Sequence, residues 1–371
     1  MSDKLRCIGC GAVIQTTDPQ KSGYIPQSAL AKQNSDNIYC QRCFRLRHYN
    51  EIADVEYSDD DFLAFLNQLS EKKALIVNVV DIFDFTGSLI PGLQRFVGNN
   101  PILMVGNKED VLPKSLKRSR IKDWMRQSAN QAGLRPVDVL LTSAKKSYQI
   151  DDLLTAIEKY RHGQDVYVVG VTNVGKSTLI NQIIQRLTGV KELITTSKFP
   201  GTTLDRIEIP LADGHYLIDT PGIIHRHQIA HYLSPKELRL ATPQKEIKPR
   251  TYQLQNNQTL FLGALARFDF IEGHKLRNGI VAYLDNNLPI HRTKLERATA
   301  FYKKHAGELL QPPTKKELET NFPLLVRFEF KTTEKSDLVF AGLGWISVPM
   351  NSIVAGWAPK GVCITLRKAM I

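Results

Sequence analysis

Eight residues, Gly170-Val-Thr-Asn-Val-Gly-Lys-Ser177, constrain this chain more than any other stretch. They fit the phosphate-binding loop pattern G-x4-G-K-S/T, in which a turn between a strand and a helix wraps backbone N–H groups around phosphates. The flanks agree with that geometry: Asp165–Gly170 reads as a buried strand, and Ser177–Ile184 as the first turns of a helix. A helix N-terminus adds its own attraction for anions. The pattern assigns the cradle to Gly170, Asn173, Val174, Gly175, Lys176, Ser177 and Thr178. Lys176 is expected to reach the β- and γ-phosphates, and the Ser177 hydroxyl to bind Mg²⁺.

Four further motifs fall around this loop. Ala74–Val80 reads as a buried strand, and Pro101–Gly106 as a second one running into Asn107-Lys-Glu-Asp110. In that N-K-x-D pattern the Asp110 carboxylate can accept from both guanine N1–H and the 2-amino group, a donor pair adenine lacks. Asn107 is expected to hold the loop, and the Lys108 stem to cover one face of the base. A third strand, Val137–Leu141, leads to Thr142-Ser143-Ala144-Lys145, where the Ala144 amide would meet guanine O6. Phe199–Thr203 resembles a switch I segment with Thr202 and Thr203 as its candidate threonines. Thr203 joins Ser177 and Asp219 as the expected Mg²⁺ set, although the sequence does not decide between the two threonines. Asp219-Thr-Pro-Gly222 fits D-x-x-G, with Asp219 holding Mg²⁺ through water and the Gly222 amide facing the γ-phosphate.

The order of these motifs is base, base, phosphate, switch I, switch II, whereas an ordinary small GTPase begins with its phosphate loop. The pattern therefore predicts a circularly permuted Ras-like α/β domain, cut at a surface position where chain ends are tolerated. Whatever follows Gly222 is then attached directly to switch II.

Two cysteine pairs precede this domain, Cys7-Ile-Gly-Cys10 and Cys40-Gln-Arg-Cys43, and together they can complete a tetrahedral Zn²⁺ site. The 29 residues between them, 11–39, are more than a short ribbon needs. A redox-active dithiol is the weaker alternative, since neither pair opens a helix in a thioredoxin-like βαβ setting. The fifth cysteine, Cys363, sits in an apolar stretch and is expected in the core. Arg42, Arg45, Arg47 and His48 lie beside Phe44 and Tyr49, either as an RNA contact or as a solvated basic face. His225, His227 and His231 follow switch II as part of a switch-linked surface or a solvated helix face, a second metal site being the weaker alternative because no nearby cysteine or carboxylate completes it.

The last third alternates short apolar runs: 252–254, 259–262, 265–270, 279–283, 288–290, 324–330, 338–348 and 361–366. These predict an antiparallel β module, with helices over Leu233–Leu240 and Lys294–Leu310. Its interleaved aromatic and basic residues make either a stacking platform for RNA or the core face of a sheet. A net charge of +12 favours a polyanionic partner, with a merely basic surface as the alternative. The chain carries no apolar run of about 18 residues and no apolar N-terminal core, so the sequence predicts a cytoplasmic protein without stable membrane association.

The motif order, the four-cysteine module and the stretch Leu338-Val-Phe-Ala-Gly-Leu-Gly-Trp345 together resemble the YqeH-type permuted GTPases of small ribosomal subunit biogenesis, related to plant and mitochondrial nitric-oxide-associated GTPases. The resemblance implies three parts: a zinc module over 1–52, the permuted GTPase over 53–225, and a mixed α/β RNA- or ribosome-binding domain over 226–371. It implies GTP and GDP as ligands and the 30S subunit or its rRNA as partner. Ile223 stands where many signalling GTPases place a water-orienting glutamine, so slow intrinsic hydrolysis is expected. Asn173 is similar to the residue that binds K⁺ beside the phosphates in potassium-activated GTPases, an alternative being that it only caps the loop. Two other readings compete: a non-catalytic RNA-binding adaptor that holds GTP, and a membrane-surface or stress-signalling GTPase.

Overall fold

The computed structural model describes residues 5–7, 12–19, 21, 23–31, 38–41, 43–45, 56–57, 65–187, 195–198, 205–220, 222–223, 228–320 and 322–371. The chain divides into two compact units, Met1–Glu109 with Arg118–Ile224, and Asp110–Lys117 with His225–Ile371.

The first unit is built on a sheet of seven described strands. In chain order they are β2 (Ala74–Asp81), β3 (Ile102–Asn107), β4 (Asp138–Leu141), β5 (Asp165–Val169), β6 (Thr195–Lys198), β7 (Asp205–Pro210) and β8 (Tyr216–Asp219). The spatial order is β4-β3-β2-β5-β8-β7-β6. The first five positions are parallel, and β7 and β6 close the sheet as an antiparallel hairpin. Every residue of β2 and β3 is buried, which is why these strands read as continuous apolar runs instead of alternating ones. Helices Arg118–Gln131, Ile150–Arg161 and Lys176–Leu187 each bury one stripe, such as Leu179, Ile180, Ile183 and Ile184 in the last. A short parallel ladder lies outside the sheet: β1 (Glu56–Tyr57) pairs with β9 (Gly222–Ile223).

The second unit is mostly β, where a mixed α/β domain built on an antiparallel β module was expected. Two five-stranded antiparallel sheets share one core. The first has the order β10 (Arg250–Leu254), β13 (Asn278–Leu284), β17 (Gly344–Val348), β16 (Ser336–Phe340), β19 (Ile364–Lys368). The second has β14 (Ile290–Lys294), β11 (Gln258–Leu262), β12 (Ala266–Glu272), β18 (Ile353–Pro359), β15 (Leu325–Lys331). Phe268 and Phe270 of one sheet meet Phe340 and Ile346 of the other in that core. On the opposite face of β12, Arg267 and Asp269 point toward helix Leu295–His305, which seals Phe261 and Ala264 with Ala298. Asp269 accepts from Thr259 at 2.6 Å, Arg267 at 2.7 Å and the Trp357 indole at 2.7 Å. Arg267, Phe268, Phe270 and Trp345 are all interior residues of this unit.

Several boundaries differ from expectation. The run 338–348 is two strands, because Gly342 adopts φ +80° and turns the chain between β16 and β17. The helix expected to reach Leu310 ends at His305, followed by an additional helix, Lys315–Thr320. Strand β18 was not foreseen, and Cys363 is exposed at a loop instead of sitting in the core.

Helix Pro235–Ala241 begins with a capping box in which Ser234 and Glu237 exchange hydrogen bonds. Burial, and then the neighbouring Glu317 carboxyl, push Glu237 upward; the hydrogen bond from Glu237 holds Glu317 down at about 2. A raised folded value means that Glu237 costs stability as pH climbs above the usual glutamate value of 4.5. Glu317 acts in the other direction, its contribution being lost as pH falls from 4.5 toward about 2. Glu237→Gln should therefore flatten the decline in stability between mildly acidic and neutral pH. Urea unfolding at several pH values measures this, and an unchanged slope would refute it.

Candidate nucleotide site and cysteine cluster

The parallel strands end in a row of functional groups along one edge of the sheet. β3 ends at Asn107, β2 at Asp81, β5 runs into Gly170, β8 ends at Asp219, and β4 leads into Thr142-Ser143-Ala144. Ligands of open α/β sheets bind at this carboxyl edge.

The loop after β5 requires its glycines. A Cβ on Gly170 would lie 2.7 Å from the Val79 carbonyl oxygen. Gly175 has φ +83°, and a Cβ there would lie 2.5 Å from Asn107 Nδ2. That close approach serves a bond: Asn107 Nδ2 donates to the Val174 carbonyl at 2.9 Å. On its other side, Asn107 Oδ1 accepts from the Ala144 N–H at 3.0 Å. One buried side chain of the loop at 107–110 thus ties the loop after β5 to the loop at 142–145. The Ala144 amide, expected to face guanine O6, is engaged with Asn107 in this arrangement. Ser143 is buried and its hydroxyl accepts from Lys146 N–H at 3.2 Å, while Lys145 is exposed.

Lys108 and Asn173 both adopt left-handed backbone conformations, φ +67° and +64°. The Lys108 ammonium donates to the Asn173 carbonyl at 2.5 Å and pairs with Asp81 at 2.7 Å. Asp110 is half-buried in the turn Glu109–Val111. Residues 110–117 belong to the second unit, where the Val111 carbonyl accepts from Ile247 N–H at 2.9 Å.

Lys176 and Ser177 open their helix and are 4% and 5% exposed. The Lys176 ammonium pairs with Asp219, itself 3% exposed, and donates to the Thr220 carbonyl. Thr178 is exposed, and Gly222 is buried against Thr172. The structure thus brings together Gly170, Asn173, Val174, Gly175, Lys176 and Ser177 with Asn107, Lys108 and Asp219. Thr202 and Thr203 lie outside the described residues, as do His225 and His227. The sequence reading missed Asp81 and Thr220. An aspartate closing a buried strand, in register with Asn107, was the available signal for Asp81.

Near the N-terminus, Cys7, Cys40 and Cys43 are buried with their sulfurs within 4.8 Å of one another. Thiolates on one tetrahedral Zn²⁺ stand about 3.8 Å apart, so the cluster fits such an ion. The Cys7 N–H donates to the Ala12 carbonyl at 2.9 Å, and the Cys40 N–H donates to Cys7 Sγ at 3.2 Å. A helical turn at 41 and 43–45, unforeseen in the sequence, begins directly after Cys40. Cys10 lies outside the described residues, as do Arg42, Arg47, His48 and Tyr49.

Comparison with known proteins agrees with this geometry. Residues 165–258 match the family described as 50S ribosome-binding GTPase, and residues 277–370 match the family described as YqeH-like, C-terminal. The "Uncharacterized protein YqeH" of Bacillus subtilis (strain 168) is 55% identical over 371 residues, covering 100% of both chains. The chain belongs to the YqeH family. Within that family, the NO-associated protein 1 of Arabidopsis thaliana is 31% identical, the match covering 95% of this chain and 71% of the relative. The human Nitric oxide-associated protein 1 is 26% identical, covering 99% and 75%. Family membership makes this a GTPase with GTP and GDP as its nucleotides, and a GTPase of this type works with Mg²⁺. Among the described residues, no helix is long and apolar enough to cross a membrane.

Proposed function

We propose that this protein is a GTP-driven switch in assembly of the small ribosomal subunit, acting in the cytoplasm. The observation that carries the nucleotide part is the frame around Asn107, which links the phosphate loop to the two base-reading loops. In this reading Asp110 selects guanine, Lys108 covers the base, and the amides from Gly170 to Thr178 hold the phosphates. Lys176 exchanges Asp219 and the Thr220 carbonyl for phosphate oxygens. Ser177, Asp219 and Thr203 or Thr202 would hold Mg²⁺, and the Gly222 amide would face the γ-phosphate. Cys7, Cys10, Cys40 and Cys43 hold Zn²⁺ as a structural ion. The net charge of +12 and the β-rich second unit support an rRNA or pre-ribosomal partner.

Hydrolysis is slow in this reading because Ile223 offers no hydrogen bond to water. Asn173, exposed on the phosphate loop, is the ligand proposed for an activating K⁺. GTP turnover should accordingly rise about tenfold or more when KCl replaces NaCl. Equal rates in the two salts would remove the K⁺ role and leave the GTPase reading intact.

The subunit assignment is tested by sedimentation with 30S and 50S particles in a non-hydrolysable GTP analogue or GDP, at two salt concentrations. The matched GTPase family is described by the 50S subunit, whereas the resemblance noted in the sequence points to 30S, so both are included. Nucleotide-dependent co-sedimentation with 30S is the expected result. Binding to 50S alone would move the site of action, and binding to neither would sink the assembly reading.

A further inference from the structure

We propose that Asp81 is a positioning residue for guanine-nucleotide binding, acting through Lys108. The inference rests on the GTP reading above and extends it to a residue outside the five sequence motifs. A lysine stem can cover a purine face only if its ammonium is tethered, because a free lysine side chain samples many rotamers. Here the tether is double: Lys108 Nζ lies 2.7 Å from Asp81 Oδ2 and 2.5 Å from the Asn173 carbonyl.

Asp81 is itself fixed before any ligand arrives. It ends β2 directly opposite Asn107 of β3, and it is 7% exposed. Its second carboxylate oxygen accepts from Phe83 N–H at 2.9 Å, and its own N–H donates to Ser88 Oγ at 3.0 Å. Ser88 in turn donates to the Asp84 carbonyl at 2.8 Å. The carboxylate is therefore a rigid anchor, and the ion pair extends its rigidity to Lys108. Through the Asn173 carbonyl, the same ammonium steadies the phosphate loop at its left-handed residue. Asp81 thus couples the base-covering stem to the phosphate loop without touching nucleotide.

The test uses the full-length protein. Asp81→Asn keeps an oxygen acceptor for Phe83 N–H and removes the charge that holds Lys108. Asp81→Ser, smaller and still an acceptor, is a second variant should the amide perturb folding. Stopped-flow release of mant-GDP and mant-GTP is measured for wild type, Asp81→Asn, Lys108→Met and the double variant, together with KM and kcat for GTP. Loss of a charge-assisted tether predicts about tenfold faster release, with the defect falling on KM more than on kcat. Because Asp81 works through Lys108, the double variant should release nucleotide no faster than Lys108→Met alone. Unchanged release in both Asp81 variants, or additive effects in the double variant, would overturn the proposal. A wild-type protein that retains mant-ATP as well as mant-GTP would overturn the GTP reading and this inference together.

Discussion

Lys176→Ala should lower kcat/KM for GTP by about 10³-fold or more, the scale of losing a principal charge partner of the transferred phosphoryl group. The same substitution should also cost stability. Lys176 pairs with Asp219 where both side chains are 4% exposed, so removing the ammonium takes away the cation facing a buried carboxylate. Breaking such a pair from one side costs about 3 kcal/mol. The two effects separate in the double variant Lys176→Ala/Asp219→Asn. Neutralising the carboxylate should recover most of the lost Tm, while GTP hydrolysis stays at background. Single-turnover hydrolysis and thermal unfolding measured on the wild type and both variants decide the matter. Wild-type hydrolysis in Lys176→Ala would exclude its role at the γ-phosphate, and a Tm that stays low in the double variant would exclude the buried ion pair as its cause.

Cys7→Ser or Cys40→Ser should unfold the N-terminal module and leave the GTPase sheet intact. The described part of this module buries little besides Cys7, Cys40, Cys43, Ile25 and Ile38. Such a core is too small to offset the conformational entropy of ordering the segment. A structural Zn²⁺ contributes about 10–16 kcal/mol of apparent folding free energy in small modules. Metal analysis should therefore find one zinc per chain in wild type and none in either variant. Hydrogen exchange should show residues 12–45 losing protection while 74–81 and 102–107 keep theirs. Strong chelation should reproduce the exchange pattern in the wild-type protein. A chain isolated with no zinc, or a module protected in its absence, would contradict the assignment.

The nucleotide edge was legible in sequence because each of its groups closes an apolar strand or opens a helix. A polar cluster after Pro101–Gly106 or Asp165–Val169 has nowhere to go but the end of a buried strand, and the phosphate loop admits only one backbone path. Asp81 was passed over because a single aspartate ending a strand carries no spacing to match. The Lys176–Asp219 pair joins residues 43 apart along the chain, and no local pattern encodes it. In the second unit, apolar content alone could not separate β16 from β17, since both strands are buried and Ala341 and Leu343 of the turn between them are buried as well. Strand β18 escaped notice because its mix of Gly356 with Pro359 reads as loop. Cys363 was misplaced by its neighbours: Val362 and Ile364 are buried on either side of it, and the chain alternates inward and outward there.

The ladder between β1 and β9 gives the permutation a mechanical sense. The two strands run parallel, Glu56 beside Gly222 and Tyr57 beside Ile223. The N-terminal end of β1 and the C-terminal end of β9 therefore lie at opposite ends of the ladder. Force applied between these ends loads the ladder in shear, so its hydrogen bonds must yield together instead of opening one by one. A cut in the polypeptide that would otherwise leave two loose ends is closed by a clasp, and one half of that clasp carries Gly222.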